Sequence, residues 1–138
     1  MHDNVERIES VKAGSLSGIT AGIGYVSIAM LEALSLPKYL PSLTSLGLAA
    51  AISIVTGFLF GITYRYIIRT DRNDNLNAGA VLAFGLVRGL AQIDVSEFEI
   101  SQIWLDISIV AESILLFSIA RYVLDWALVA GWILPFSQ

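Results

Sequence analysis

Apolar residues fall into four long blocks. Ala13 to Leu31 carries no charge between Lys12 and Glu32, and its apolar pattern runs on to Leu36. Ser42 to Tyr64 is also free of charge. Leu76 to Val87 continues past Arg88 to Ile93. Ile100 to Ile119 is apolar apart from Asp106 and Glu112. A helix crosses a bilayer with roughly 20 such residues. The pattern predicts one all-α domain over residues 1–138 with transmembrane helices at 13–36, 42–64, 76–95 and 101–126.

The connections are short. Pro37 and Pro41 bracket a turn, because neither can continue a helix. Arg69 to Asn75 and Asp94 to Glu99 form the other two links. Short links make sequential helices antiparallel neighbours, so the expected architecture is an up-down-up-down four-helix bundle. Met1 to Lys12 holds Asp3, Glu6 and Glu9 against Arg7 and Lys12, unlike the basic start of a signal peptide. Val5, Ile8 and Val11 recur at helical spacing, so the first helix is expected to begin early and lie partly on the membrane surface.

Composition supports the membrane reading. Of the 138 residues 56% are hydrophobic and only 14% charged, and mean hydropathy is +0.73. Soluble domains carry about a quarter charged residues, so this chain cannot coat a globule in water. Disorder and a collagen repeat are excluded by the same numbers. A net charge of −4 argues against a nucleic-acid partner. With no cysteine there is no disulfide, thiol nucleophile or iron–sulfur ligand.

Basic residues orient the chain. With a cytoplasmic N-terminus, Arg7, Lys12, Arg65, Arg69, Arg72 and Arg121 fall on the cytoplasmic side and Lys38 on the other. Both termini are then cytoplasmic. The opposite rim is acidic, with Glu32, Asp94, Glu97, Glu99 and Asp106. Trp104 and Trp126 stand about 33 Å apart along a helix, close to the hydrocarbon thickness, and mark the two interfaces of the fourth span. Arg121 and Asp125 form an i,i+4 pair near its inner end. Residues 127–138 read as a short interfacial tail anchored by Trp132, with a continued fourth helix as the alternative.

Glycines recur four residues apart: Gly14, Gly18 and Gly22 in the first span, Gly57 and Gly61 in the second, Gly85 and Gly89 in the third. Each set occupies one helix face, where missing side chains let two backbones approach as in a glycine zipper. Packing inside the bundle is the first reading. Self-association, docking on a larger complex, and a pore lined by small residues are the others.

Arg88 is the most informative charge. It lies twelve positions into the third span, about 18 Å deep, at a cost of roughly 2.5–3.5 kcal/mol on insertion scales. It shares a face with Gly85, Gly89 and Gln92, which points it into a helix interface. Glu112 is the expected partner, with Asp94 and Asp106 behind it. The Arg88–Glu112 pair reads either as an ion pair fixing helix register or as a site for an ion, a proton or an anionic headgroup.

Other chemistry is sparse. Residues 71–77 resemble a calcium loop, but Leu76 stands where glycine is required and Leu82 where the bidentate glutamate belongs. A polar loop ending in a helix cap at Asn75 or Asn77 fits better. The single histidine is His2, at the end of the chain. Metal-spaced clusters, phosphate-binding loops and nucleophile elbows are absent from the sequence. Serines in the spans read as back-bonded to helix carbonyls or bridging helices. No catalytic residue, metal or cofactor is expected.

The runs Gly61-Ile62-Thr63-Tyr64-Arg65-Tyr66-Ile67-Ile68-Arg69 and Gly79-Ala80-Val81-Leu82-Ala83-Phe84-Gly85-Leu86-Val87-Arg88-Gly89-Leu90 resemble a family of small, uncharacterised multi-span membrane proteins of cyanobacteria and plant chloroplasts. The resemblance implies a thylakoid or plasma membrane in a phototroph, a link to photosynthetic complexes, and no catalytic residue. It also implies that Arg65, Arg69 and Arg88 belong to the family pattern. The expected function is a non-enzymatic accessory or assembly subunit that sits in the lipid bilayer and packs against another membrane protein or itself. A small oligomeric transporter or channel using the intramembrane Arg88–Glu112 site is the alternative, and a membrane enzyme a third.

Overall fold

The computed structural model describes residues 1–36, 40–68 and 73–136. Pro37, Lys38 and Tyr39 of the first expected turn, and Arg69, Arg72 and Asp71 of the second link, lie outside the described residues. Four α-helices follow one another: α1 (His2–Ser35), α2 (Leu43–Ile67), α3 (Asp74–Ala91) and α4 (Ile103–Val129). Two short 3-10 turns, Val95–Glu97 and Ile100–Gln102, join α3 to α4. No strand occurs among the described residues. Three segments, His2–Ser35, Leu43–Ile67 and Ile100–Val129, are long and apolar enough to cross a membrane. The third expected span is not among them: the 18 residues of α3 include Asp74, Asn75, Asn77 and Arg88, which lower its hydropathy.

Local chemistry sets the ends of these helices. Ser42 caps α2 by accepting the Ser45 N–H at 3.1 Å. Asn73, not Asn75 or Asn77, caps α3: its side chain accepts the Asn75 N–H at 3.1 Å, and Asp74 follows in the first turn, where the helix dipole favours an acid. The first helix runs unbroken from His2, ahead of the apolar span at residue 13, as the helical spacing of Val5, Ile8 and Val11 leads one to expect. At the end of α4, Gly131 adopts φ +77°, a conformation that strains other residues. Trp132 N–H reaches Ala127 O at 2.9 Å and Gly131 N–H reaches Leu128 O at 3.2 Å. This Schellman turn stops α4 three residues past the expected end and reverses the chain.

Helix α1 packs along α2, and α3 along α4; α1 also meets α4, whereas α2 and α3 approach each other only sparsely. Small residues sit at both close pairs. A Cβ on Gly57 would lie 2.5 Å from Ala21 Cβ and 2.8 Å from Ser17 O, and one on Gly61 would run into Ala13 O. A Cβ on Gly18 would come within 2.9 Å of Ile54 O, while Gly14 and Gly22 face the side chains of Phe58 and Ile54. On the other pair, Gly85 faces Ile114 Cα at 2.8 Å and Gly89 faces Val110 Cα at 2.7 Å by the same measure. Between the pairs, Phe60, Phe84 and Phe117 interlock with ring centroids 5.1–5.7 Å apart, and Tyr64 stacks on Phe60.

The termini meet at one end of the bundle. Arg65, in the last turn of α2, reaches Glu6 and Ser10 of α1 and Leu134 of the tail. Tyr64 donates to Asp125 of α4 at 2.7 Å, and Arg121 lies 3.8 Å from Asp74 at the start of α3. The tail therefore does not project from the bundle. Ile133 is buried, and Leu134 N–H donates to Glu9 Oε2 at 2.9 Å. Trp132 stays exposed and packs edge-on against Trp126.

Candidate functional site

Two buried guanidinium groups organise the bundle, one at each level. Arg65 is 2% exposed, although it follows Tyr64 directly and reads in sequence as the first basic residue outside its span. Its Nε donates to Leu134 O at 2.8 Å, Nη1 to Ser10 Oγ at 2.8 Å and Glu6 O at 3.1 Å, and Nη2 to the Glu6 carboxylate at 2.5 Å. Phe136 lies under the guanidinium with its centroid 5.8 Å away. A carboxylate and three neutral acceptors satisfy this cation, and it serves as a clasp between both ends of the chain.

Arg88 is satisfied differently. It is 7% exposed and sits in the last turn of α3, level with Val110 across from Gly89. Its Nη1 donates to Ser113 Oγ of α4 at 3.0 Å and its Nη2 to Ser53 Oγ of α2 at 2.7 Å. Tyr25 of α1 places its ring 5.6 Å from the guanidinium carbon. One side chain of α3 thus touches all three other helices. Gln92, one turn on, donates to Ser113 Oγ at 3.1 Å and to Arg88 O at 3.2 Å. Arg88 Nε is buried and has no hydrogen-bond partner among the described residues.

The expected Arg88–Glu112 ion pair is not formed. The ion pairs among the described residues join Lys12 to Glu9, Arg65 to Glu6, and Arg121 to Asp74 and Asp125. Glu112 acts on Arg88 only through space. The reason is helical: one residue is about 100° of rotation, so Ser113, not Glu112, is turned toward Arg88. Asp94 does not reach Arg88 either. It caps the first 3-10 turn, where the Ser96 hydroxyl at 2.6 Å and N–H at 2.9 Å hold its carboxyl below the usual carboxylate range.

A groove opens beside Arg88 where α2 and α3 stand apart. Its volume is 570 Å³. Ala49, Ile52, Thr56 and Leu59 form the α2 wall; Ala83, Phe84, Val87, Ala91 and Gln92 form the α3 wall together with Arg88. Fully buried Phe117 closes its floor. Ile52, Leu59 and Val87 are exposed along its edges, so the groove faces out of the bundle. Polar groups gather at one end, near Arg88 and Gln92, and the other end is apolar. An apolar cavity of roughly 300–1,000 Å³ with a few convergent polar groups is the usual form of a small-molecule site. Among the described residues no group of His, Cys, Asp and Glu is arranged to hold a metal ion.

Residue patterns marked Arg88 but missed Ser53, Ser113 and Tyr25 as its surroundings. A serine in an apolar span looks the same whether it bonds only its own helix or also a neighbour. Ser53 does both, donating to Ala49 O at 2.9 Å while accepting from Arg88. Arg65 gave no signal of burial, since its partners Glu6, Ser10 and Leu134 are far away in the chain. Comparison with protein-family models, curated proteins and solved structures finds no match to this chain.

Proposed function

We propose that the chain is a non-enzymatic integral membrane subunit that works by holding a hydrophobic partner in the groove between α2 and α3. In this reading all four helices cross the bilayer, with both termini on the cytoplasmic side. The shared end of the bundle at which α1 starts and α4 finishes supports it, as does the excess of basic residues there. α3 is about 27 Å long, enough to pass most of a roughly 30 Å hydrocarbon core. The glycines act as a zipper inside the α1–α2 and α3–α4 pairs, which leaves the groove as the surface for partners. The membrane proposed is a thylakoid or plasma membrane, on the resemblance of residues 61–69 and 79–90.

The observation that carries the proposal is the open groove itself. Two helix pairs close tightly at small residues, yet the two helices between them part and leave 570 Å³ unfilled by the chain's own side chains. A photocrosslinking amino acid placed at Ile52 or Val87 should capture one discrete partner in native membranes. The same group at Ile23 or Leu115, exposed elsewhere on the bundle, should capture only bulk lipid. Identical products from all four positions would sink the proposal. A buried cation at Arg88 also favours the second reading, a small oligomeric transporter; anion flux into liposomes carrying the pure protein would speak for it.

A further inference from the structure

We infer that the groove between α2 and α3 takes a single-chain lipophilic carboxylate, a long-chain fatty acid, with its head on Arg88 and its chain along Thr56, Leu59, Ala83 and Phe84. The inference rests on the groove being the working site and adds what fills it.

Charge selects the head. Arg88 is buried, and the groups in direct contact with its guanidinium are two neutral hydroxyls and an aromatic ring. A buried cation without a contacting counter-ion is costly, and an anion that enters beside it removes that cost. Glu112, the nearest compensating acid on α4, makes no contact. Geometry selects a carboxylate. The guanidinium carries five N–H donors, and the two serines occupy Nη1 and Nη2 once each. The Nε–H remains without a partner. A planar carboxylate takes an Nε–H and a neighbouring Nη–H side by side, the bidentate fork for which arginine is suited.

Shape selects one acyl chain. The groove follows α2 for about 15 Å from Ala49 to Leu59, about 9 Å of it beyond Ser53, which Arg88 touches, so it holds the head and the first part of one chain while the rest runs on into lipid. Of the polar lining groups, the Thr56 hydroxyl donates to Ile52 O of its own helix, and Arg88 and Gln92 stand at the end where α3 stops, close to the exposed link containing Asp94 and Glu97. A headgroup can enter there, while the far end is walled by Leu59, Ala83 and Phe84. A two-chain lipid would leave its second chain outside.

The test uses the purified full-length protein in nanodiscs and two probes: a long-chain fatty acid with a diazirine on its chain, and the methyl ester of the same acid. The acid should label α2 between Ile52 and Leu59 and α3 between Ala83 and Val87, and the ester should label weakly. Arg88→Gln should reduce acid labelling roughly tenfold or more, since it removes a hydrogen bond to a charged group. Because Arg88→Gln also removes contacts that join helices, Ala83→Phe serves as the second variant; it fills the apolar end, leaves Arg88 in place and should also abolish labelling. Equal labelling by acid and ester, or undiminished acid labelling of folded Arg88→Gln or Ala83→Phe, overturns the carboxylate inference and leaves the groove proposal standing. Labelling of Leu115 and Ile23 as strong as that of the groove overturns both.

Discussion

Arg65 Nε donates to the backbone oxygen of Leu134 at 2.8 Å, while Glu9 accepts the N–H of the same residue at 2.9 Å. Both polar groups of one tail residue are thus held by side chains from α2 and α1. The tail is part of the fold because buried backbone groups need partners, and these two supply them.

Arg65→Met should therefore be strongly destabilising. It strips donors from Glu6, Ser10 and Leu134 at a site that is nearly closed to solvent. Removing one partner of a buried pair typically costs roughly 3–5 kcal/mol. The expected outcome is a lowered unfolding temperature in detergent and faster carboxypeptidase trimming from the C-terminus. A tail that resists trimming as in the wild type would show that Ile133 and the Schellman turn hold it without the clasp.

Glycine substitutions should split by position. Gly61→Ala places a methyl group against Ala13 O, and Gly57→Ala places one 2.5 Å from Ala21 Cβ. Overpacking of this kind costs about 1–3 kcal/mol. Gly79→Ala meets nothing within 4 Å and should gain up to about 1 kcal/mol from helix propensity. Opposite signs in thermal unfolding are the expected result. Equal effects would mean that the glycine faces do not carry the α1–α2 contact.

Gly131→Ala should cost about 1–2 kcal/mol, since φ is +77° and nothing crowds the position. The loss comes from backbone strain alone. Trp126 and Trp132 report it directly, because their edge-on contact depends on the turn between them. A red-shifted emission with α-helix content unchanged is the expected signature.

Arg88 should couple energetically to Ser113 more than to Glu112. Ser113→Ala leaves donors on both Arg88 and Gln92 unpaired, at about 1–3 kcal/mol for a buried group. Once Arg88→Met is present, much of that loss should vanish. The matching cycle with Glu112→Leu should show weaker, purely through-space coupling. Stronger coupling to Glu112 would mean that the acid reaches the guanidinium in the membrane.

Cysteines introduced singly at Asn73 and Glu97 test whether α3 crosses. Both positions are exposed, at opposite ends of α3, and the chain has no native cysteine to interfere. Membrane-impermeant maleimide should reach them from opposite sides. Labelling of both from one side would reduce the protein to the three long apolar helices.

Periodicity and charge spacing determined much of this protein before any packing is considered. The charge-free stretch from Ser42 to Tyr64 reads as a buried or membrane helix, and α2 runs over Leu43–Ile67. The glycine spacing grouped residues onto single faces, because residues four apart share a face in any α-helix. The position of Arg88 among glycines likewise foretold that it points inward. What it points at was decided by tertiary structure. A rotation of one residue along α4 replaces Glu112 with Ser113, and nothing in the sequence of α4 sets its rotation against α3; Gly85 against Ile114 and Gly89 against Val110 do. The burial of Arg65 has the same origin. Its acceptors come from residues 6, 10 and 134, brought together only once α1, α2 and the Gly131 turn are in place, and hydrogen bonds across such chain separations leave no periodic trace. The groove is the furthest from sequence, since it is the space left where α2 and α3 fail to meet, and a gap belongs to no residue.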